Sequence, residues 1–173
     1  MTAPMPGLLD RLDHHDRRLL QRWILSDGYS RSARAGWVVV TQLGSTISVV
    51  LAALLIPLLV LPDRADAWLP AAVLTISFLI AQLIKRLVQR QRPDEVSIIA
   101  CPDRFSFPSG HATSSMAIGL GLGVLVPAVA PIALALALLA GASRVVLGVH
   151  YPGDVVAGQL IAVATTAALH GVL

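Results

Sequence analysis

Long apolar stretches without charge restrict this chain more than any other feature. Residues 37–61 and 124–142 contain no charged side chain, and charged residues make up only 13% of the 173-residue chain. A soluble domain carries about 25% charged residues. A membrane-spanning helix needs roughly 20 predominantly apolar residues. The sequence therefore predicts an all-α fold, an integral membrane bundle of helices.

Five segments have the length and composition of a transmembrane helix. Trp37 and Trp68 open the first two, at positions where interfacial aromatic side chains are common. Tyr151-Pro152-Gly153 separates the last two, because proline and glycine disfavour a continuing helix. The predicted spans cover the ranges 37–61, 68–85, 109–127, 131–150 and 154–172.

Residues 8–25 place leucines among charged residues, which predicts an amphipathic helix. Such a helix can lie in the headgroup region of a bilayer, or it can cap the bundle as a solvated helix. The sequence leaves both alternatives open. We therefore expect an N-terminal amphipathic or interfacial segment, residues 1–36, followed by a membrane-embedded domain, residues 37–173. The first segment lacks an apolar region long enough for a cleavable signal peptide.

Three basic residues stand at the ends of the apolar segments. Six residues separate Lys85 from Arg92, and Arg144 lies within a long apolar run. A cation at the centre of a spanning helix costs on the order of 3 kcal/mol, so it normally faces a wet cavity or a partner. If the second helix continues to Arg92, Lys85 and Arg92 lie on one helix face. The three cations together predict the binding of an anion.

The sequence Pro108-Ser109-Gly110-His111 precedes the third predicted helix. The unpaired amides at a helix N-terminus attract anions. Gly110 lets an oxyanion approach the backbone, and Ser109 can donate its hydroxyl or cap the helix. These features favour a phosphate site at this position.

Two histidines and an aspartate complete the set. His150 and Asp154 are four residues apart across a turn, and a carboxylate near a ring N–H fixes the tautomer of the imidazole. The other ring nitrogen of His150 is then free to attack phosphorus, while His111 can protonate the leaving oxygen. Two histidines and one aspartate could also hold zinc, but the nearby cations oppose it. We therefore expect no metal and no cofactor.

These three blocks, in this order, resemble the type-2 phosphatidic acid phosphatase family, which shares its fold with vanadium haloperoxidases. The first block corresponds to residues 85–93, the second to 108–111, and the third to Ser143-Arg144, His150 and Asp154. The resemblance implies that His150 is the nucleophile, His111 the general acid and Asp154 the partner of His150. The phosphate binders that it implies are Lys85, Arg92, Ser109, Gly110 and Arg144.

The resemblance implies a membrane-embedded phosphatase that hydrolyses a lipid phosphate or a polyprenyl mono- or diphosphate through a phosphohistidine. Two alternatives stay open: a phosphotransferase that uses the same intermediate, and a non-catalytic membrane protein that binds an anionic lipid. The expected partners are the lipid phosphate substrate and membrane lipids, without nucleic acid. The sequence does not predict an oligomeric state.

The expected location is a cell membrane, the bacterial inner membrane, which the chain crosses several times. Five spans put the N-terminus and the site on one side. That side holds the arginines of residues 11–34 and of the loop after the second helix, whereas the other side has only Arg64. The positive-inside rule therefore predicts a cytoplasmic site. The family resemblance more often implies an external one.

Overall fold

The computed structural model describes residues 8–24, 30–56, 58, 63–93, 97–101 and 103–171. These residues form helices joined by turns and loops, and they contain no β-strand. The prediction of an all-α bundle is confirmed. The helices are α1 (Leu8–Trp23), α2 (Arg31–Gln42), α3 (Thr46–Leu55), α4 (Leu69–Val88), α5 (Gly110–Leu125), α6 (Ala130–Val146) and α7 (Pro152–His170).

Three helical segments of the described chain are long and apolar enough to cross a membrane. They are Asp66–Val88, Pro127–Val146 and Pro152–His170. A fourth results if α2 and α3, which meet at a bend of 42°, form one broken span. The remaining predicted span, 109–127, corresponds to α5, which has only 16 residues. The count of five spans stays a prediction.

The first predicted span is interrupted between α2 and α3. Ser45 ends the continuity because its side-chain oxygen accepts the backbone N–H of Ser48 at 3.3 Å, as an N-cap does. Gly44 lies in the break, where an added Cβ would be 3.2 Å from the backbone oxygen of His111. The interruption therefore brings the α2–α3 corner against the start of α5. The predicted end of this span, near residue 61, lies outside the described residues.

Helix α4 ends earlier than a shared helix face for Lys85 and Arg92 requires. Gln89 adopts a left-handed conformation with φ 51°, and its N–H donates to the Lys85 carbonyl at 3.1 Å. The chain then leaves the helix, so Arg92 lies in the following loop. The expectation that both cations lie on one helix face is wrong, although both side chains reach the same place.

Helix α5 lies at the centre of the bundle and contacts α3, α4, α6 and α7. Small residues permit this close packing. An added Cβ on Gly121 would be 2.6 Å from Cα of Pro70, and one on Gly119 would be 3.0 Å from the carbonyl oxygen of Ala133. The glycines of α5 therefore serve helix packing.

A short turn joins α6 to α7 and carries His150. Helix α6 ends at Val146, four residues before the predicted end, and Gly148 follows with φ 71°. Glycine adopts this left-handed conformation without the steric cost of a Cβ. The backbone N–H groups of Val149 and His150 both donate to the carbonyl of Arg144, at 3.0 and 3.2 Å. His150 is therefore held in a tight turn and not on the helix.

Helix α1 packs against α6 and α7. Leu20 is buried in a cluster with Val145, Tyr151 and Val155. The structure thus shows α1 docked on the bundle, an arrangement that both the interfacial and the capping alternatives allow. Because α2 runs from Arg31 to Gln42, residue 36 falls inside a helix. The proposed division of the chain at that residue stays a prediction.

Candidate active site

A cavity of about 230 Å³ lies where the second half of α4 and the loop after it, the α2–α3 corner and the start of α5 meet the end of α6 and the turn that follows it. Six of the eight residues singled out from the sequence line it: Lys85, Arg92, Gly110, His111, Arg144 and His150. The other two, Ser109 and Asp154, are buried and are not part of the wall. Residues more than sixty positions apart therefore converge on one cavity, with both histidines facing it.

The tautomer of His150 follows from its two neighbours. Arg92 Nη1 lies 3.0 Å from His150 Nε2, and because a guanidinium only donates, Nε2 must be the unprotonated acceptor. The proton then resides on Nδ1, which faces Asp154 Oδ2 at 3.4 Å. This distance is longer than an ordinary hydrogen bond, and Nδ1 has no closer partner among the described residues. The free electron pair of His150 thus points toward the cations of the cavity.

Asp154 is fully buried at the N-terminus of α7. Its Oδ2 accepts the backbone N–H of Tyr151 at 2.9 Å, which caps the helix. Its Oδ1 accepts Arg90 Nη1 at 2.8 Å. The carboxylate is therefore fixed on both sides while it faces His150.

Asp103 pairs with two of the three cations that the sequence predicts to bind an anion. Its carboxylate accepts hydrogen bonds from Lys85 Nζ and Arg92 Nη2. Arg92 Nε also donates to the Asp103 carbonyl at 2.9 Å. Asp103 comes from the polar loop between α4 and α5, and its carboxylate occupies the position at which an anion would meet both cations.

Arg144 carries a positive charge without a carboxylate in contact among the described residues. Its side chain is 4% exposed. Nη1 donates to Thr41 Oγ1 at 2.9 Å, and Nη2 lies 3.4 Å from Cys101 Sγ. Its buried Nε has no hydrogen-bond partner in the described part of the chain. A buried guanidinium of this kind is costly unless an anion joins it.

The start of α5 presents its backbone to the cavity at Gly110. Ser109 does not reach the cavity. Its side-chain oxygen faces the backbone N–H of Ala112 at 3.5 Å, as in an N-cap, and its own N–H donates to the Asp154 carbonyl at 2.9 Å. Of the two roles that the sequence left open for Ser109, the structure shows the cap. Ser109 also ties the start of α5 to the start of α7.

Two groups in the loops have protonation states that suit anion chemistry. Burial acts to raise the pKa of Asp103, but the hydrogen bond from Lys85 and the charges of Lys85 and Arg92 outweigh it and hold this pKa below its usual value. Burial, reinforced by the charge of Arg92, lowers the pKa of His150 to about 4, although Asp154 opposes the shift. At neutral pH Asp103 is charged and His150 is neutral, as a nucleophile must be.

Sequence reasoning missed several residues of this site. Thr41 and Cys101 hold the Arg144 guanidinium, Asp103 holds Lys85 and Arg92, and Arg90 holds Asp154. From the sequence alone, Arg90 is one of the loop arginines that indicate membrane orientation. Its position five residues after Lys85, inside the first block, was the one available signal that it could belong to the site.

The chain resembles curated phosphatases in its sequence. It is 37% identical over 127 residues to a decaprenylphosphoryl-5-phosphoribose phosphatase of Mycobacterium tuberculosis, an alignment that covers 71% of this chain. The corresponding enzyme of Mycolicibacterium smegmatis is 36% identical over 128 residues. This chain spans about 63% of the length of both relatives. A lipid A 1-phosphatase of Rhizobium etli is 36% identical over 104 residues, which cover 53% of this chain and 45% of that relative.

Two solved structures share the fold. The first is a transmembrane PAP2 type phosphatidylglycerolphosphate phosphatase of Bacillus subtilis, with a TM-score of 0.78, 22% identity and coverage of 94% of this chain and 86% of that one. The second is LpxE of Aquifex aeolicus, with a TM-score of 0.72, 19% identity and coverage of 88% and 92%. The architecture is thus an all-α membrane bundle that crosses the bilayer several times. Since the sequence profile of the PAP2 superfamily matches residues 66–173, more than half of the chain, this protein belongs to the PAP2 superfamily.

Proposed function

We propose that this protein is a membrane-embedded phosphatase that hydrolyses a lipid phosphate through a phosphohistidine on His150. The observation that carries the proposal is the single cavity that His111 and His150 share with Lys85, Arg92 and Arg144. Cations neutralise the phosphoryl oxygens as charge redistributes in the transition state. The two imidazoles supply the nucleophile and the proton donor that the phosphoryl transfer requires.

The reaction proceeds in two steps. In the first, the electron pair of His150 Nε2 forms a bond to phosphorus, the bond from phosphorus to the lipid oxygen breaks, and His111 gives that oxygen a proton. In the second, the oxygen of water forms a bond to phosphorus while His111 takes up a proton of that water, and the bond from phosphorus to His150 Nε2 breaks. Its electron pair returns to Nε2, and inorganic phosphate leaves. Asp154 stabilises the positive charge that develops on His150 in the first step. No step requires a metal, so we expect full activity in the presence of a chelator.

We propose a polyprenyl-linked sugar phosphate as the first substrate class to test. The support is the 37% identity to a phosphatase that is named for decaprenylphosphoryl-5-phosphoribose. An apolar cavity of about 500 Å³ between α3, α5 and α6 also provides space for a lipid chain. Its lining includes Leu43 and Ser115, each next in sequence to a residue that lines the site cavity, Gly44 and Ser114.

A panel assay of the purified protein in detergent tests this function. Phosphate release is measured from polyprenyl sugar phosphate, polyprenyl diphosphate, phosphatidic acid, phosphatidylglycerophosphate and a short-chain phosphate, each with chelator. We expect release from the lipid substrates at a higher kcat/KM than from the short-chain compound. Release from none of them would refute the function. Addition of alcohol or sugar acceptors distinguishes hydrolysis from phosphotransfer, since a transferase forms a new phosphate ester.

Substrate phosphate must replace the Asp103 carboxylate on Lys85 and Arg92. We therefore expect Asp103→Asn to bind vanadate, an analogue of phosphate, about tenfold more tightly, because one competing charge-assisted interaction is removed. The measurement is the vanadate inhibition constant at a fixed pH. Asp66→Asn is the matched control, because that carboxylate is exposed and pairs with Arg64 at the far end of the bundle. Equal or weaker vanadate inhibition of Asp103→Asn would show that Asp103 does not compete for the anion site.

We also propose that the site opens toward the cytoplasm of a bacterial inner membrane. The support is the excess of arginines in residues 11–34 and in the loop after α4, which the predicted topology puts on the side of the site, with only Arg64 on the other side. Cys101, the only cysteine, lies at the cavity. A membrane-impermeant maleimide is therefore expected to label it in inverted membrane vesicles and not in intact cells, with Cys101→Ser as the control. Labelling in intact cells would put the site outside.

A further inference from the structure

Arg90 lies at the junction of three carboxylates that come from two distant parts of the chain. Its Nη1 donates to Asp154 Oδ1 at 2.8 Å and to Asp16 Oδ2 at 2.7 Å, and its Nη2 donates to Asp13 Oδ1 at 2.7 Å. The guanidinium also lies over the ring of Tyr151, 4.1 Å from the centroid. The side chain of Arg90 is 19% exposed. It is therefore an internal connector and not a free surface charge.

Helix α1 is fixed to this junction by a second contact. Asp16 Oδ1 accepts the backbone N–H of Gly153 at 2.8 Å, and a Cβ on Gly153 would lie only 2.7 Å from Asp16 Oδ2. The Asp16 side chain is 11% exposed. The carboxylate of α1 therefore sits directly on the turn that carries His150 and begins α7.

The charges at this junction bear on how Asp154 acts on His150. Asp154 can support positive charge on His150 only to the extent that its own charge is not already neutralised by a cation. If Arg90 had no other partner, its positive charge would neutralise the negative charge of Asp154. Asp13 and Asp16 share the guanidinium and leave more of the Asp154 charge available to His150. The two carboxylates of α1 thus offset the neutralising effect of Arg90 on Asp154.

On the basis of the proposed function, we propose that Arg90 is a positioning residue that holds Asp154 against His150, and that Asp13 and Asp16 of α1 balance its charge. In this way α1 forms part of the catalytic unit. Asp13 and Asp16 precede the segment that matches the superfamily, residues 66–173. Arg90 lies inside that segment and inside the first block, between Lys85 and Arg92, but the resemblance implies no role for it.

The protonation behaviour of the junction agrees with this geometry. Burial acts to lower the pKa of Arg90, but the charge of Asp154 and the hydrogen bonds to Asp13 and Asp16 raise it above its ordinary value. Burial acts to raise the pKa of Asp13, but the hydrogen bonds from Arg17 and Arg90 bring it below its ordinary value. Arg90 and Asp13 are therefore charged at neutral pH.

Other charged and titratable groups also face His150 and set the background against which Arg90 acts. Arg92 and Asp103 approach from the loop after α4, Arg144 from α6, His111 from α5 and Lys85 from α4. Asp13, Asp16 and Arg90 are outside the cavity wall. Substitution of Asp16 or Arg90 therefore changes the charge behind Asp154 and leaves the groups that line the cavity in place.

Opposite shifts of the pH profile test the proposal. His150 must be neutral to attack, so kcat falls as the pH drops through its pKa. Arg90→Gln removes a cation, His150 holds its proton more tightly, and the acidic limb is expected to move to higher pH by about one unit. Asp16→Asn keeps the shape of the side chain but removes its negative charge. His150 then holds its proton less tightly, so the acidic limb is expected to move to lower pH. Arg90→Lys retains the charge and should leave the limb near its wild-type position.

Two exposed charges serve as controls on the same substrate. Arg86→Gln and Asp66→Asn make the same changes in net charge away from the junction, and their profiles should match that of the wild-type protein. A shift of both test variants in the same direction, or of neither, would overturn the proposal, because a merely structural contact gives no opposite pair. If the wild-type protein itself is inactive, the proposed function is refuted instead. Wild-type activity is therefore measured before that of any variant.

Discussion

Replacement of His150 with alanine is expected to lower kcat by about 10⁴-fold or more, the scale of losing a catalytic nucleophile. The imidazole is the group whose free Nε2 points toward the cations of the cavity. Without it the enzyme cannot form a covalent phosphoryl intermediate. Water would then have to attack the lipid phosphate directly, a reaction that is extremely slow when unaided. The measurement is phosphate release from the best lipid substrate in detergent.

His170→Ala is the matched control for this variant. His170 is exposed in the last turn of α7, away from the cavity, so its removal should leave kcat unchanged. The His150 variant should still elute as the same detergent-solubilised species as the wild-type protein. Wild-type turnover by His150→Ala would refute the mechanism, since no other residue of the cavity is assigned the covalent step.

Replacement of His111 with alanine is expected to lower kcat on a lipid phosphate by about 10²- to 10⁴-fold, the range of general acid catalysis. An alkoxide is a poor leaving group and needs the proton that His111 supplies. An aryl phosphate such as p-nitrophenyl phosphate has a good leaving group and does not need it. For this substrate, the first step in His111→Ala should stay close to the wild-type rate.

The same variant should accumulate the intermediate on the aryl substrate. Water attack on the phosphohistidine also uses His111, as the base, so only the second step is slowed. We expect a rapid burst of one equivalent of nitrophenol, followed by slow steady-state release. His150→Ala should give no burst, because it forms no intermediate. Equal losses on lipid and aryl substrates, without a burst, would show that His111 is not the proton donor.

The cavity residues could be predicted from the sequence because each has a cost that only function explains. A buried Arg144 and a histidine beside an aspartate are unfavourable in an apolar bundle unless they serve a site. The all-α bundle could be predicted for a similar reason, since long uncharged segments admit few alternatives. Composition alone does not show where a helix breaks. The start of α3 at Thr46 and the end of α4 at Val88 depend on local caps at Ser45 and Gln89.

Asp103 and Arg90 could not be predicted as site residues. Arg90 and its partner Asp16 are 74 residues apart in sequence. A charged residue in a polar loop has no periodic pattern that shows which way its side chain points. The expected helix face shared by Lys85 and Arg92 was wrong because the left-handed Gln89 ends α4. Their convergence on the cavity comes instead from the path of the loop. Tertiary contacts determined these features, and a single sequence contains little information about them.

Direct trapping of the covalent intermediate tests the central claim most sharply. The protein is mixed with ³²P-labelled lipid phosphate, quenched within milliseconds in base, and digested for peptide mapping. The account predicts one label that is stable in base, labile in acid and confined to the peptide that contains His150. With ³²P-labelled p-nitrophenyl phosphate in place of the lipid, it predicts a larger yield in His111→Ala, because only the second step is then slowed. A label on any other residue, or steady turnover without a label on His150 in either protein, would contradict it.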